Sequence, residues 1–199
     1  MRDATEALIV IDVQNDFCPG GALPVEEGDA VIPGINAAME DFATVIRTQD
    51  WHTPGHSSFA SSHDGRAPFD EIEMPYGPQV LWPDHCVQDT PGAAFHPDLR
   101  DVGAVVRKGF RPDIDSYSAF FENDHETPTG LHEMLRAGGI EAVTLVGLAL
   151  DYCVAWSALD AAALGYRVTV PAALSRAIDL RGSRAAMLDR MAAAGVTVL

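Results

Sequence analysis

Residues 143–154, which read VTLVGLALDYCV, constrain the fold more than any other stretch of the chain. Residues 143–146 are a short, apolar and β-branched run, which predicts a strand that is covered on both faces. The chain then turns at a glycine, and Asp151 is placed to cap a helix over residues 155–164 that Gly165 ends. A buried strand that leads through a tight turn into a helix is typical of a parallel α/β sheet.

Cys153 lies in the first turn of this predicted helix. Unpaired N–H groups and the positive end of the helix dipole meet there, and both lower the pKa of a thiol. The same position lies beyond the carboxyl end of a strand, where open α/β sheets bind their ligands. A cysteine near a helix start can also be only a small buried hydrophobic residue. The rest of the chain has to decide between the two interpretations.

Further apolar runs alternate with amphipathic ones along the chain. Residues 7–13 are almost wholly apolar and predict a central strand, and residues 104–108 predict another. More strands are predicted over residues 43–49, 166–171 and 196–199, and helices over residues 30–42, 130–139 and 183–194. Strands that alternate with helices predict an α/β fold with a parallel sheet and right-handed crossovers.

Three of the predicted strands lead to a side chain of catalytic type. The first strand reaches Asp12, another ends at Lys108, and the strand described above leads to Cys153. Each residue has a simpler explanation, since Asp12 could cap the following turn and Lys108 could extend to the surface. Because the carboxyl ends of parallel strands share one edge of the sheet, we expect a carboxylate, an ammonium group and a thiol to meet there.

Asp50 and His52 stand two residues apart at the end of a predicted strand, so both side chains point to the same side of an extended chain. A carboxylate beside an imidazole is a common start for a divalent metal site. Residues 57–101 predict a long, ordered loop, and His85 within it would complete a facial set of one carboxylate and two imidazoles. Such a set leaves positions open for water and substrate. His56 could be a further ligand or only a polar support.

Composition and charge argue against several classes of function. The chain has 199 residues, 47% of them hydrophobic, so we expect one domain with a substantial core. A net charge of −16 argues against nucleic acid and anionic membranes as partners and leaves small molecules. Three widely spaced cysteines argue against a disulfide framework and favour a cytoplasmic location. We expect no signal peptide, because residues 1–6 lead directly into the first predicted strand. We expect no membrane span, because no apolar run approaches the ~20 residues that a span needs.

Five short motifs resemble those of one known family. Over nearly its whole length the chain resembles the nicotinamidase/pyrazinamidase branch of the isochorismatase-like cysteine hydrolases, in residues 12–17 (DVQNDF), 50–52 (DWH), 82–86 (WPDHC), 108–109 (KG) and 151–154 (DYCV). The DWH and WPDHC motifs are those that indicate the nicotinamidase branch. The resemblance implies a three-layer α/β/α sandwich around a mostly parallel sheet, with Rossmann-like topology.

The resemblance also implies roles for the three residues at the edge of the sheet. Cys153 would be the nucleophile, Asp12 the acid and base that exchanges its proton, and Lys108 the positioning cation. Lys108 and the helix N-terminus are together expected to favour the thiolate of Cys153. A non-proline cis peptide is implied before Ala149, and the backbone N–H groups of Ala149 and Cys153 would form the oxyanion hole.

The implied activity is hydrolysis of nicotinamide to nicotinate and ammonia through a thioester, with pyrazinamide as a further substrate and NAD salvage as the setting. Phe17, Trp82 and Tyr117 would be the walls that sandwich the pyridine ring. The carboxylate and two imidazoles described above would hold one divalent metal ion, with zinc preferred over iron or manganese, and waters would complete its shell.

Two other functions stay open from the residues and the resemblance. A hydrolase of the same family could act on another small amide, such as an N-carbamoyl compound, or on isochorismate. A silent metal-binding or scaffold domain could also keep the fold, although the presence of Asp12, Lys108 and Cys153 together argues against it. The sequence leaves open whether the chain forms a homo-oligomer and how many ring analogues it accepts.

Overall fold

The computed structural model describes residues 2–199 of the chain. Its strands are β1 (Glu6–Ile11), β2 (Thr44–Asp50), β3 (Glu71–Met74), β4 (Gly77–Val80), β5 (Ala104–Lys108), β6 (Ala142–Leu148), β7 (Arg167–Val170), β8 (Ser175–Arg176) and β9 (Thr197–Val198). Its α-helices are α1 (Ile32–Ala38), α2 (Leu131–Ala137), α3 (Ala155–Ala163) and α4 (Ser183–Ala193). None of the helices within residues 2–199 has the length and apolar character that crossing a membrane requires.

The main sheet has the strand order β5–β2–β1–β6–β7–β9, and β8 pairs beside β6. Every pairing in this sheet is parallel, whereas β3 and β4 form a separate antiparallel hairpin. The carboxyl ends of β1, β2, β5 and β6 therefore lie along one edge. The predicted α/β fold with a mostly parallel sheet is confirmed.

The side chains of β1 alternate between two hydrophobic cores on opposite faces of the sheet. Ala7, Ile9 and Ile11 pack in the core that α2, α3 and α4 complete, and Leu8 and Val10 pack in the core that α1 completes. All five residues are fully buried, so β1 is covered on both faces as its apolar run predicts. The helices on the two faces give the three layers of an α/β/α sandwich.

The helix predicted over residues 30–42 and the first predicted strand are both longer than the observed elements. The helix predicted over residues 30–42 is an α-helix only over Ile32–Ala38, with 3₁₀ turns on either side. Pro33 accounts for the late start, because proline is tolerated in the first helical turn but not further inside a helix. The first strand stops at Ile11, since the backbone of Asp12 leaves the extended region with a φ of 47°.

Residues 57–101 form the predicted long loop, interrupted by the β3–β4 hairpin and short 3₁₀ turns. Phe59, Leu81 and Trp82 are at most 3% exposed and fix the loop against the rest of the molecule. Trp82 lies in the same core as α1, so the loop helps to cover that face of the sheet. The loop thereby carries its aromatic side chains and His85 to the edge where the parallel strands end.

Candidate active site

Three buried side chains from separate strand ends meet at one point. The Lys108 ammonium group lies 2.9 Å from Oδ2 of Asp12 and 3.5 Å from the sulfur of Cys153. Lys108 and Asp12 are fully buried, and Cys153 is 6% exposed. The predicted convergence of carboxylate, ammonium and thiol is therefore present, and Lys108 does not extend to the surface.

Asp12 is held by a residue that the sequence did not single out. The Thr48 hydroxyl in β2 donates to Oδ1 of Asp12 at 2.6 Å and accepts the backbone N–H of Asp12 at 3.2 Å. The carboxylate thus contacts Thr48 and Lys108 rather than capping the following turn. Burial raises the pKa of Asp12, and the charge of Lys108 offsets that rise only in part.

Lys108 is surrounded by acceptors. Besides facing Asp12, its ammonium group donates to Oδ1 of Asp50 at 2.8 Å and to the carbonyl of Ser116 at 2.7 Å. Burial alone would lower the pKa of Lys108, but Asp12 and Asp50 raise it well above its ordinary value. The group therefore stays a cation inside the protein.

The expectation of a lowered pKa at Cys153 is wrong. Burial raises the pKa of this thiol well above its ordinary value, and the attraction of Lys108 opposes the rise without cancelling it. The nearby carboxylates of Asp12 and Asp50 raise it further. Within this pocket, burial and the two carboxylates outweigh the charge of Lys108, so the resting group is a thiol beside a carboxylate.

The turn before Cys153 also differs from the predicted helix start. Leu150–Val154 is a π-helical turn, and Ala149 rather than Asp151 occupies the position before it. Asp151 instead accepts the backbone N–H groups of Ile178 at 2.9 Å and Asp179 at 2.8 Å. The predicted cis peptide lies between Leu148 and Ala149. Ala149 and Cys153 both line the same pocket, and their role as an oxyanion hole stays a prediction.

The three predicted metal ligands form one buried cluster. Asp50, His52 and His85 each present a ligand atom, and these atoms all lie within 4.8 Å of one another. Oδ2 of Asp50 is 3.3 Å from Nε2 of His52 and 3.7 Å from Nε2 of His85. Because the other oxygen of Asp50 accepts from Lys108, a single carboxylate joins this cluster to the Cys153 site.

The protein orients both imidazoles through their second nitrogen. Nδ1 of His52 lies 2.9 Å from the carbonyl of Gly109, and Nδ1 of His85 lies 2.8 Å from the carbonyl of Pro83. Each Nδ1 can then donate its proton, which leaves Nε2 as a lone-pair ligand. Nε2 of His52 is buried and finds no hydrogen-bond partner within residues 2–199, as a metal ligand would in the absence of its ion.

His56 is a support rather than a ligand. Its Nδ1 accepts the backbone N–H of Ser58 at 3.1 Å, and its Nε2 lies 2.6 Å from the carbonyl of Arg111. Both ring nitrogens are therefore used, and the ring packs 4.5 Å from that of His52. Burial lowers the pKa of His56, which agrees with a neutral ring in a packing role.

Asp115 is a further buried carboxylate that sequence reasoning missed. Its Oδ1 lies 3.9 Å from Nε2 of His52, and the residue lines the pocket beside Cys153. Together with Asp12 and Asp50, it gives the site three buried carboxylates, and Asp12 and Asp50 are the two that contact the ammonium group of Lys108. Three carboxylates and one ammonium group leave the site with an excess of two negative charges, which a divalent cation would neutralise.

The pocket beside the sulfur has aromatic walls. Phe17, Trp82 and Tyr117 all line it, as predicted, and Tyr152 completes the wall. The ring centre of Tyr152 lies 4.9 Å from that of Trp82 and 5.5 Å from that of Tyr117, both edge to face. The residues of the lining that were not predicted are Leu23, Asp115, Tyr152 and Ile178. A flat ring would fit between such walls with little exposed surface.

Comparison with known proteins identifies a family whose members include amide hydrolases. The Isochorismatase domain model matches residues 6–199. A nicotinamidase of Acinetobacter baylyi is 52% identical over 192 residues, which covers 96% of this chain and 90% of that protein. A sequence identity of 52% over nearly the whole chain is well above the level at which two proteins belong to one family.

Solved structures give the same result. A nicotinamidase and pyrazinamidase of Acinetobacter baumanii has 48% identity and a TM-score of 0.99, covering 100% of this chain and 97% of its own. A pyrazinamidase of Pyrococcus horikoshii in complex with zinc has 36% identity and a TM-score of 0.81, covering 98% of both chains. The chain therefore belongs to the isochorismatase family, in the branch that contains the nicotinamidases and pyrazinamidases.

Proposed function

We propose that this chain hydrolyses nicotinamide to nicotinate and ammonia and that it also accepts pyrazinamide. The observation that carries the proposal is the position of the Lys108 ammonium group, which lies within 3.5 Å of Asp12, Asp50 and Cys153 at once. One cation thus joins a thiol, a proton acceptor and a cluster of metal-type ligands beside a single aromatic pocket. The relatives at 52% and 48% identity, both named nicotinamidase, indicate the substrate.

Acyl transfer starts from the neutral thiol of Cys153. Asp12 accepts the thiol proton while the sulfur bonds to the carboxamide carbon, and the carbonyl oxygen takes the negative charge. The backbone N–H groups of Ala149 and Cys153 would hold that oxygen, and one such donor is worth about 3 kcal/mol. Lys108 favours the ionised form of Asp12 before the transfer, because its charge opposes the effect of burial on the carboxylate.

The proton then moves on through Asp12. Asp12 gives it to the amide nitrogen, the carbon–nitrogen bond breaks, ammonia leaves, and Cys153 carries a thioester. In the second half, Asp12 accepts a proton from a water molecule whose oxygen attacks the thioester carbon. The carbon–sulfur bond breaks, the sulfur regains a proton from Asp12, and the carboxylic acid is released. Both residues return to their starting forms.

A divalent metal ion is proposed at Asp50, His52 and His85. The buried and unpartnered Nε2 of His52 and the excess of carboxylates around it support such an ion. When bound, the ion would supply a Lewis acid that takes the ring nitrogen and so orients the amide toward Cys153. We propose zinc, the ion in the structure of the Pyrococcus enzyme, although iron and manganese suit the same ligands.

The aromatic walls are proposed to bind the heterocycle. Phe17, Trp82, Tyr117 and Tyr152 offer apolar surface to a flat ring, and the Tyr117 hydroxyl accepts hydrogen bonds from Trp82 at 3.2 Å and Gln79 at 2.9 Å. The walls therefore select for shape and flatness, while the ring nitrogen and the carboxamide are recognised at the two polar ends of the pocket.

The proposal is tested by ammonia release from nicotinamide, pyrazinamide and an N-carbamoyl amino acid, each with and without a chelator. We expect turnover of the two ring amides, loss of it in Cys153→Ala, and loss of it in the chelated wild-type protein. Cys18→Ala is the matched control, because Cys18 is also buried but does not line the pocket. Faster release from the N-carbamoyl compound would favour the other amidase activity of the family.

A further inference from the structure

The segment after β5, residues 109–116, turns backbone carbonyls toward the proposed metal site, and we call it the carbonyl loop. The carbonyl of Gly109 accepts from Nδ1 of His52 at 2.9 Å, and that of Ser116 accepts from Lys108 at 2.7 Å. Gly109 has a φ of 65°, and a side chain there would press on the His52 ring. The path of this loop therefore sets the orientation of a metal ligand and of the central cation.

A half-buried ion pair holds the middle of the carbonyl loop. Nη1 of Arg111 donates to Oε1 of Glu122 at 2.7 Å, and the Glu122 side chain is fully buried whereas that of Arg111 is 41% exposed. The carbonyl of Arg111 is the one that accepts from His56. Glu122 is itself fixed, because its backbone N–H donates to the carbonyl of Thr127 at 2.9 Å. The fixed carboxylate of Glu122 is thus connected, through Arg111, to the loop whose carbonyls contact His52 and His56.

We propose that Glu122 is a positioning residue for the metal site: its carboxylate holds Arg111 and, through the carbonyl loop, keeps Nε2 of His52 directed at the ion. This inference rests on the metal site proposed above. Glu122 touches neither the ion nor the substrate pocket, so its effect has to travel through backbone. Groups that support metal ligands in this way typically change metal affinity when they are altered.

The burial of Glu122 is difficult to explain as a contribution to stability alone. Removing the Glu122 carboxylate from water costs free energy that the half-exposed Arg111 repays only in part, and Oε2 of Glu122 finds no hydrogen-bond partner in the described part of the chain. Burial raises the pKa of Glu122 to about 7, with Arg111 and Lys108 lowering it and Asp115 adding to it. Tyr76 also faces the group. The ion pair is therefore complete above neutral pH and lost below it.

The test is the affinity for zinc of the full-length protein, measured by competition with a chromophoric chelator. Glu122→Gln keeps the shape of the side chain but removes its charge, and we expect roughly 10-fold weaker zinc binding well above pH 7. Glu40→Gln is the matched control, because Glu40 forms an exposed pair with Arg100 at 2.9 Å, far from the carbonyl loop in the fold. It should bind zinc like the wild type.

The pH dependence separates positioning from general stability. Below pH 7 the wild-type Glu122 becomes protonated and resembles glutamine, so the difference in zinc affinity between the two proteins should vanish there. Protonation of the histidine ligands weakens binding in both proteins alike and cancels in the ratio. If the ratio of the zinc affinities of wild type and Glu122→Gln is the same above and below pH 7, the proposal is overturned.

Two results keep the proposal separate from the assignment of the metal site. If wild-type protein binds no zinc, both proposals fail; if Glu122→Gln binds zinc as tightly as wild type at high pH, only this one fails. Should Glu122→Gln not fold, Arg111→Met serves in its place, because its side chain is 41% exposed. Arg111→Lys keeps the charge and should restore most of the affinity that Arg111→Met loses.

Discussion

Nζ of Lys108 donates a hydrogen bond of 2.8 Å to Oδ1 of Asp50, while the other oxygen of Asp50 faces His52 and His85. Burial alone would raise the pKa of Asp50, but Lys108 and His52 hold it well below its usual range. The carboxylate is therefore charged at neutral pH. Lys108 and Asp50 therefore link the Cys153 thiol to the proposed metal site. A substitution in one of the two sites should affect the charges in the other.

Lys108→Met should destabilise the protein strongly. Removal of the ammonium group leaves Asp12 and Asp50 buried without their partner, and breaking a buried pair in this way costs about 3–5 kcal/mol. Urea unfolding in the presence of a chelator measures this loss. Arg100→Met is the control, since the exposed Arg100–Glu40 pair should be worth only about 0–1 kcal/mol. Equal losses in the two variants would contradict the role given to Lys108.

Asp12→Asn should remove the proton acceptor while keeping the shape of the side chain. We expect kcat/KM to fall by about 10²–10⁴-fold, the usual contribution of a general base. In the wild type, activity needs the Asp12 carboxylate, so kcat/KM should fall as pH drops through the pKa that burial has raised. The acid limb should thus lie at higher pH than that of an ordinary aspartate. An unchanged acid limb in Asp12→Asn would assign it to another group.

His85→Ala should weaken metal binding without unfolding the chain. The variant loses one of three ligands, and its metal content after dialysis, measured by atomic emission, should fall well below one ion per chain. His96→Ala is the matched control, because His96 lies near the surface beside Asp98 and outside the cluster. Full metal content in His85→Ala would remove this residue from the site.

Asp151→Asn should affect substrate binding more than chemistry. Asp151 accepts backbone N–H groups from Ile178 and Asp179, and Ile178 lines the pocket. Loss of these charge-assisted hydrogen bonds, worth roughly 1.5–3 kcal/mol each, should loosen that wall and raise KM for nicotinamide more than it lowers kcat.

Asp179→Asn is the control for this change. Its side chain is on the same segment, is exposed, and accepts only the backbone N–H of Arg184 at 3.2 Å. KM should therefore stay near the wild-type value. A fall in kcat at constant KM in Asp151→Asn would show instead that Asp151 acts on the nucleophile beside it.

The edge of the sheet could be predicted from the sequence because strand ends are local features. A parallel sheet brings the ends of its strands together whatever their order, so Asp12, Lys108 and Cys153 could be joined without knowing the topology. Asp50 and His52 follow from the two-residue period of a strand. His85 is predicted because it stands in a long aromatic loop that has to be ordered and in the WPDHC motif that carries the family resemblance.

Features that depend on contacts across the fold could not be predicted. Thr48 donates to Asp12 from the neighbouring strand, and Asp115 lies near His52 from a loop. Neither residue belongs to a sequence motif or a periodic pattern that would indicate a functional role. The ionisation of Cys153 is predicted from the helix start and from the charge of Lys108. The direction of the pKa shift depends on burial, which outweighs the charge of Lys108 and is set by the whole pocket.

The most direct test of the account is mass spectrometry of the protein, quenched with acid during turnover of nicotinamide. A nicotinoyl thioester on the peptide that contains Cys153, present in the wild type and in Cys18→Ala and absent in Cys153→Ala, is the predicted result. Ammonia release that persists in Cys153→Ala, with no acyl group on any peptide of the wild type, would contradict it.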